Sequence, residues 1–297
     1  MSKITTIENL PNRVLCHILS YLPTECAIST SKLATRWRYL WLETPTWDLN
    51  SSSCREEAVF VKLIDRFLNY NLNSGIKKFK LTYNGRVRPD DRLQSWIHNV
   101  ITRRVSHLDI SISSFDDEEL VPSMPLSLYS SKTLVDLRLN GFILEDPGSD
   151  FLLQRIKTMH LRNVRYDTEL LFKKLVTSCP AIEELSLIWH NAHLPASVRV
   201  HSSSLKRFIL DTTLFGNKGG FYLEIDCPRL QYIRLHDWSC SSIVIHDIGH
   251  SAMVDLDLYL PLSDPEPDFS IWETAMHIFL NKLSTASSLK ISSGTLE

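Results

Sequence analysis

The six cysteines of this 297-residue chain, Cys16, Cys26, Cys54, Cys179, Cys227 and Cys240, form no CxxC pair. The ligand spacing of a zinc ribbon is therefore absent. No apolar run approaches the roughly 20 residues that span a bilayer, and the opening MSKITTIENLP holds no apolar signal stretch. No membrane partner is expected, and the chain is expected inside the cell, in the nucleus or the cytoplasm, with reduced thiols. A basic excess is missing too: 32 Lys and Arg stand against 34 Asp and Glu, a formal charge of −2. That balance gives no reason to expect nucleic acid as a partner. The motifs GxSxG, P-loop, GxGxxG and HExxH are absent, so no enzyme site of those kinds is expected. His190 and His193 in WHNAHLP lie three apart with no third ligand in view, which reads as a solvated loop rather than a metal site. Cys179 and Cys227 each precede a proline with no base beside them, and read as small buried packing residues. No catalytic residue, cofactor or metal is expected.

What is present is an ordinary globular composition, 43% hydrophobic and 22% charged, with enough apolar residues for a sizeable core. The stretch LPNRVLCHILSYLP, Leu10 to Pro23, places Val14, Leu15, Ile18, Leu19 and Leu22 on one amphipathic stripe. Pro11 suits a first helical turn, and Pro23 helps to end the helix. Thr24 is expected to cap a second short helix over Glu25 to Ser31. A third is expected around Leu33 to Trp41, with Leu33, Trp37, Leu40 and Trp41 on one side. Three such helices make a very small core that needs a partner or a docked neighbour.

After Asp48 the pattern changes to a recurring template: apolar, two residues, apolar, one residue, apolar. It appears as Ile76-Phe79-Leu81, Val105-Leu108-Ile110, Leu134-Leu137-Leu139 and Ile156-Met159-Leu161. It continues as Ile182-Leu185-Leu187, Leu205-Phe208-Leu210, Leu230-Ile233-Leu235 and Met253-Leu256-Leu258, with a weaker ninth at Ala286-Leu289-Ile291. The first eight start 22 to 29 residues apart, within the period of about 20 to 29 residues of leucine-rich repeats. Each template gives a short strand, and stacking them gives a parallel sheet on the concave face of a curved solenoid, an α/β fold. Helical spacing is expected over Glu57 to Asn69, Gln94 to Thr102 and Asp167 to Thr177, while PLSDPEPDF reads as a surface loop.

The segment LPNRVLCHILSYLPTECAISTSKLATRWRYLW resembles an F-box, through Leu10-Pro11, Val14-Leu15, Ile18-Leu19, Leu22-Pro23, Leu33, Arg36-Trp37 and Leu40-Trp41. Trp47-Asp48-Leu49, IKKFKL, SWIHNVITRRVSHLDI, SSKTLVDLRLNGF, SCPAIEELSL and DCPRLQYIRL resemble plant F-box/LRR proteins of the group that often ends in an FBD domain. The resemblance implies an F-box over residues 4–50, a helical connector over 51–75 and repeats over 76–297. It implies a non-catalytic substrate receptor of an SCF-type ubiquitin ligase. A Skp1-like adaptor, and through it a cullin-RING ligase, would dock on Leu10, Pro11, Val14, Leu15, Ile18, Leu22, Pro23, Leu33, Trp37 and Leu40. The chain departs from the family at Arg13, where an acid is usual, and at Cys26, Lys32 and Ala34-Thr35. It stops at SGTLE, just after a repeat strand, so the last repeat's end is expected to be uncapped. These departures keep a second reading open, a repeat module that no longer joins a ligase.

The central outward strand positions are expected to be Lys80, Asp109, Arg138, His160, Ser186, Ile209, Arg234 and Asp257, flanked by Arg162, Arg207, Tyr232 and His236. Arg138, His160, Arg162, Arg207, Arg234 and His236 would then share a face that could hold an acidic or phosphorylated protein target through arginine forks. The same residues also read as a solvated strand face, paired with Asp136, Glu184 and Asp211.

Overall fold

Pro11, with φ at −59°, sets the chain into its first α-helix, α1 (Asn12–Leu19). Its carbonyl accepts the N–H groups of Val14 at 2.9 Å and Leu15 at 3.1 Å. The computed structural model describes residues 7–70, 75–84, 91–112, 121–148, 153–190, 195–212, 221–237, 240–249, 252–258, 281–283 and 286–292. The chain forms two compact units, Met1–Leu120 and Val121–Glu297.

In the first unit, α1 turns Leu15, Cys16 and Leu19 inward. Helix α2 (Thr24–Ser29) follows Pro23 directly. The expected third helix is a 3-10 run over Thr35–Glu43. With three residues per turn, Trp37 and Leu40 line up on its inner side. Three parallel strands follow: β1 (Thr46–Asn50), β2 (Lys78–Tyr83) and β3 (His107–Ile112). Trp47, Phe79 and Leu108 stand in register, as do Leu49, Leu81 and Ile110, and all six are buried. The template misses β1 because Thr44 stands where its first apolar residue belongs.

Helices α3 (Glu57–Asn69) and α4 (Asp91–Thr102) precede β2 and β3. They are tied together by the Trp96 indole N–H, which donates to Asp65 Oδ1 at 2.8 Å. Phe67 of α3 stacks on Phe79 at 6.5 Å between ring centres and also packs on Trp47. This joins helix to sheet through aromatic surface.

The second unit alternates between two faces. Its strands are β4 (Asp136–Asn140), β5 (Ile143–Leu144), β6 (Thr158–Arg162) and β7 (Arg165–Tyr166), then α5 (Glu169–Thr177) and β8 (Glu184–Trp189). Next come β9 (Ser197–His201), β10 (Arg207–Thr212), β11 (Phe221–Cys227), β12 (Tyr232–Asp237), β13 (Cys240–Ile248), β14 (Met253–Leu258) and β15 (Ser288–Ile291). One parallel sheet runs β4-β6-β8-β10-β12-β14-β15, and a second runs β9-β11-β13. Leu137, Met159, Leu185, Phe208, Ile233 and Val254 form one buried row, and Leu139, Leu161, Leu187, Leu210, Leu235 and Leu256 the next.

Register corrects the eighth repeat. Val254 and Leu256, not Leu256 and Leu258, stand opposite Ile233 and Leu235. Met253 is 52% exposed, and Asp255 rather than Asp257 takes the central outward place. Between β8 and β14 the side opposite this sheet is strand. Val198, Val200, Phe221, Leu223, Ile225 and Cys227 point inward from β9 and β11 with a period of two. Asn163, at φ 48°, closes the turn after β6, where its Oδ1 accepts the His190 N–H at 2.9 Å and its Nδ2 donates to Asn140 Oδ1. The segments PLSDPEPDF and SGTLE lie outside the described residues.

Candidate functional site

Two surfaces stand out, one in each unit. On α1, Val14 and Ile18 lie four apart on one helix face, with Pro11 at the cap before it and Leu22 three residues past its end. The inner face carries Leu15, Cys16 and Leu19. Val14 is 40% exposed, Ile18 38%, Leu22 42% and, further on, Leu33 71%. Pro11 and Pro23 are exposed and Leu10 is half-buried. Leu15, Trp37 and Leu40 belong to the core, so they support the exposed residues from beneath. Ile7 and Tyr21, not anticipated from the sequence, extend the exposed apolar set. The Tyr21 ring meets the His17 ring edge-on at 5.1 Å. Arg13 and Lys32 are exposed as well, so neither costs burial energy in the chain by itself.

Arg36 fixes the start of this surface. Its guanidinium donates to the carbonyls of Glu8 and Leu10, and Nε and Nη2 both donate to Asn12 Oδ1, at 3.0 and 2.8 Å. The 3-10 run thereby holds the chain entering α1. The signal is present in the Arg36-Trp37 pair of the resemblance. The partners, backbone carbonyls, carry no sequence signature.

On the second surface, side chains two apart along each strand of β4 to β15 share the outward face. They form three rows across the sheet. The first holds Asp136, Thr158, Glu184, Arg207, Tyr232 and Met253. The second holds Arg138, His160, Ser186, Ile209, Arg234 and Asp255. The third holds Asn140, Arg162, Ile188, Asp211, His236 and Asp257.

All six basic residues expected there lie on this face, and acids lie among them. Arg138 Nε meets Asp136 at 3.1 Å. His160 and Arg207 approach Glu184 at 3.8 and 3.7 Å, and Arg234 approaches Asp255 at 3.9 Å. His236 stands between Asp211 at 3.7 Å and Asp257 at 3.4 Å. Arg207 also lies over the Tyr232 ring, 4.0 Å from its centre. The face is thus an alternating lattice rather than a basic patch. His190 is held below the usual imidazole range, first by burial and then by the Arg162 charge. His193 lies outside the described residues, and no group of three potential ligands among the described residues could hold a metal ion. No helix of the described residues is long and apolar enough to cross a membrane.

An exposed helix-face stripe ahead of stacked parallel strands defines the class: an F-box joined to leucine-rich repeats. Family comparison agrees. Residues 7–49 match the F-box domain. Residues 93–251 match the LRR repeats of FBD-associated F-box protein At5g56370. The chain is 33% identical over 297 residues to F-box protein At1g60400 of Arabidopsis thaliana, covering 100% of this chain and 72% of that protein. It is 34% identical to F-box/FBD/LRR-repeat protein At1g80470 of the same plant, covering 100% of this chain and 63% of that protein. It is 33% identical to F-box/LRR-repeat protein 13, also from Arabidopsis thaliana, over 99% of this chain and 66% of that one. The chain belongs to the F-box/LRR-repeat family of these plant proteins.

Proposed function

We propose that this chain is the substrate-recognition subunit of an SCF-type ubiquitin ligase, working in the nucleus or the cytoplasm. Residues 4–50 dock a Skp1-like adaptor, and residues 76–297 hold a protein target on the outward strand face. The chain makes and breaks no bonds. It raises the effective concentration of target lysines near a charged E2 enzyme that the cullin-RING assembly carries.

The observation that carries this reading is the exposed stripe Pro11, Val14, Ile18 and Leu22, with Leu33 more exposed still. An exposed apolar set on α1 and the turns beside it, supported by a buried layer of Leu15, Trp37 and Leu40, is the geometry of a surface offered to a partner. The test is capture of a purified plant Skp1-like adaptor by the full chain, compared with a Leu10→Ala/Pro11→Ala variant. Capture by the wild type and loss in the variant are expected. A folded wild-type chain that captures no adaptor overturns the ligase reading and leaves a repeat module acting outside a ligase.

A further inference from the structure

The outer side of α1 carries a second row beside the apolar one. Arg13 and His17 lie four apart on the helix, next to Val14 and Ile18, and all four are exposed. The Tyr21 N–H donates to the Ile18 carbonyl at 3.2 Å, so the turn carries on past Leu19 and sets the Tyr21 ring against His17. Arg13 has no acid within reach along the helix. The sequence of α1 is NRVLCHIL, and three and four residues on stand Cys16 and His17. The side-chain oxygen next to it, Asn12 Oδ1, already accepts two bonds from Arg36. Lys32 repeats the arrangement. It is exposed, it ends the 3-10 turn Thr30–Lys32, and it adjoins Leu33, the most exposed aliphatic residue of the apolar set. Neither cation forms an ion pair among the described residues, although Glu8 and Glu25 are exposed acids of the same segment. The apolar set is therefore bordered by two unneutralised positive charges.

Resting on the reading of α1 as the adaptor surface, we propose that Arg13 and Lys32 are specificity-determining residues of docking, and that they select an adaptor whose apolar groove is bordered by carboxylates. One carboxylate meets Arg13 at the start of α1, and another meets Lys32 beside Leu33. The division of labour follows from where the charges stand. Val14, Ile18, Leu22 and Leu33 supply the contact area. Charges at the border of an interface stay wet, so they govern encounter rate and choice of partner more than affinity. An adaptor with a neutral border leaves both cations without a partner. One with a basic border is repelled, which is discrimination by an unfavourable contact.

The experiment places the full chain on a biosensor surface with a purified plant Skp1-like adaptor in solution. It is run at about 0.05 M and about 0.5 M salt, where screening lengths differ about threefold. Wild-type association should slow about fivefold at the higher salt. Arg13→Gln/Lys32→Gln should weaken capture about fivefold at low salt, the strength of two exposed pairs, and should flatten the salt dependence. Arg13→Glu/Lys32→Glu should weaken capture further and recover as salt rises. Recovery with salt separates repulsion from loss of folding. Lys132→Glu/Lys173→Glu makes the same charge change at exposed positions of the second unit and should leave capture as it is. Three results each overturn this inference and leave the ligase reading standing: wild-type association indifferent to salt, a glutamate pair at 13 and 32 that captures as well as wild type, or equal weakening by the second-unit pair. A folded wild-type chain that captures no adaptor at either salt overturns both.

Discussion

The hydroxyl of Thr24, in the first turn of α2, accepts the backbone N–H of Asp48 on β1 at 2.8 Å. The sequence predicts that Thr24 caps its own helix, yet it makes no capping bond, and Pro23 takes the cap position. A hydroxyl that could serve α2 serves the first repeat strand instead. Thr24→Val keeps the volume and removes the acceptor, leaving the Asp48 N–H without its partner. The unfolding free energy should fall by about 1–3 kcal/mol, while Thr24→Ser stays near wild type. Urea titration of the three proteins measures this, and equal midpoints for Thr24→Val and Thr24→Ser would refute it.

Arg36 should matter to the adaptor more than to the fold. Its bonds to Glu8, Leu10 and Asn12 are exposed, so Arg36→Ala should lower stability by no more than about 1 kcal/mol. It should nevertheless free the segment ahead of α1. Limited proteolysis is expected to cut near Leu10 before any other site, with adaptor capture reduced. Arg36→Lys should not restore the wild-type pattern, because a point ammonium cannot replace the fork that spans two carbonyls and an amide.

Exposed and buried members of the apolar set should separate cleanly. Leu33→Asp, at a 71% exposed position, is expected to leave the thermal midpoint unchanged and to abolish adaptor capture. Leu15→Ala, at a fully buried one, should cost about 2–5 kcal/mol through a lost contact layer and a cavity. Calorimetry alongside the capture assay reads both effects. A large drop in midpoint for Leu33→Asp would contradict the assigned exposure.

The buried thiols predict an alkaline limit to stability. Burial pushes Cys179 and Cys227 up to about 12, from an ordinary 9.0, and raises Cys16 as well, with the Glu43 charge adding to it. Folding thus disfavours the thiolate. As pH rises, the unfolded chain loses these protons first. The stability they contribute is complete below pH 9.0 and drains away as pH rises towards about 12. Urea midpoints should fall between about pH 9 and about pH 12 with a slope that Cys179→Ala/Cys227→Ala reduces. An unchanged slope in the double variant would show that other groups govern the alkaline transition. Exposed Cys26 should alkylate in the native protein while Cys179 and Cys227 stay protected until unfolding.

Much of the main sheet could be read from the sequence because each repeat carries its own hydrophobic pair at a fixed offset. In the first unit Phe79-Leu81 and Leu108-Ile110 stand in register as read. In the second, so do the pairs from Leu137-Leu139 to Ile233-Leu235. The slip at Met253 has a physical cause. A strand has a period of two, so moving the template by two residues preserves which side chains face inward within the strand. It misplaces only the leading residue and the neighbours across the sheet. The second sheet has alternation in SVRV and FYLEIDC, but those runs lack the leucine template that marks the repeats. In the candidate docking surface, helical spacing gave the stripe but not its sorting. Leu15 and Val14 are adjacent and equally apolar, and only packing against the 3-10 run decides that one is core and the other exposed. The acids beside the four arginines and two histidines were legible as residues. Their distances were not, because those depend on rotamers in a crowded row.

Strand β1 gives the first unit an unusual kind of indivisibility. Trp47 and Leu49 close the segment matched to the F-box, and they are also the first rung against Phe79 and Leu81. A cassette cut at Asn50 would carry away a strand that its neighbour needs and would bare the edge of β2.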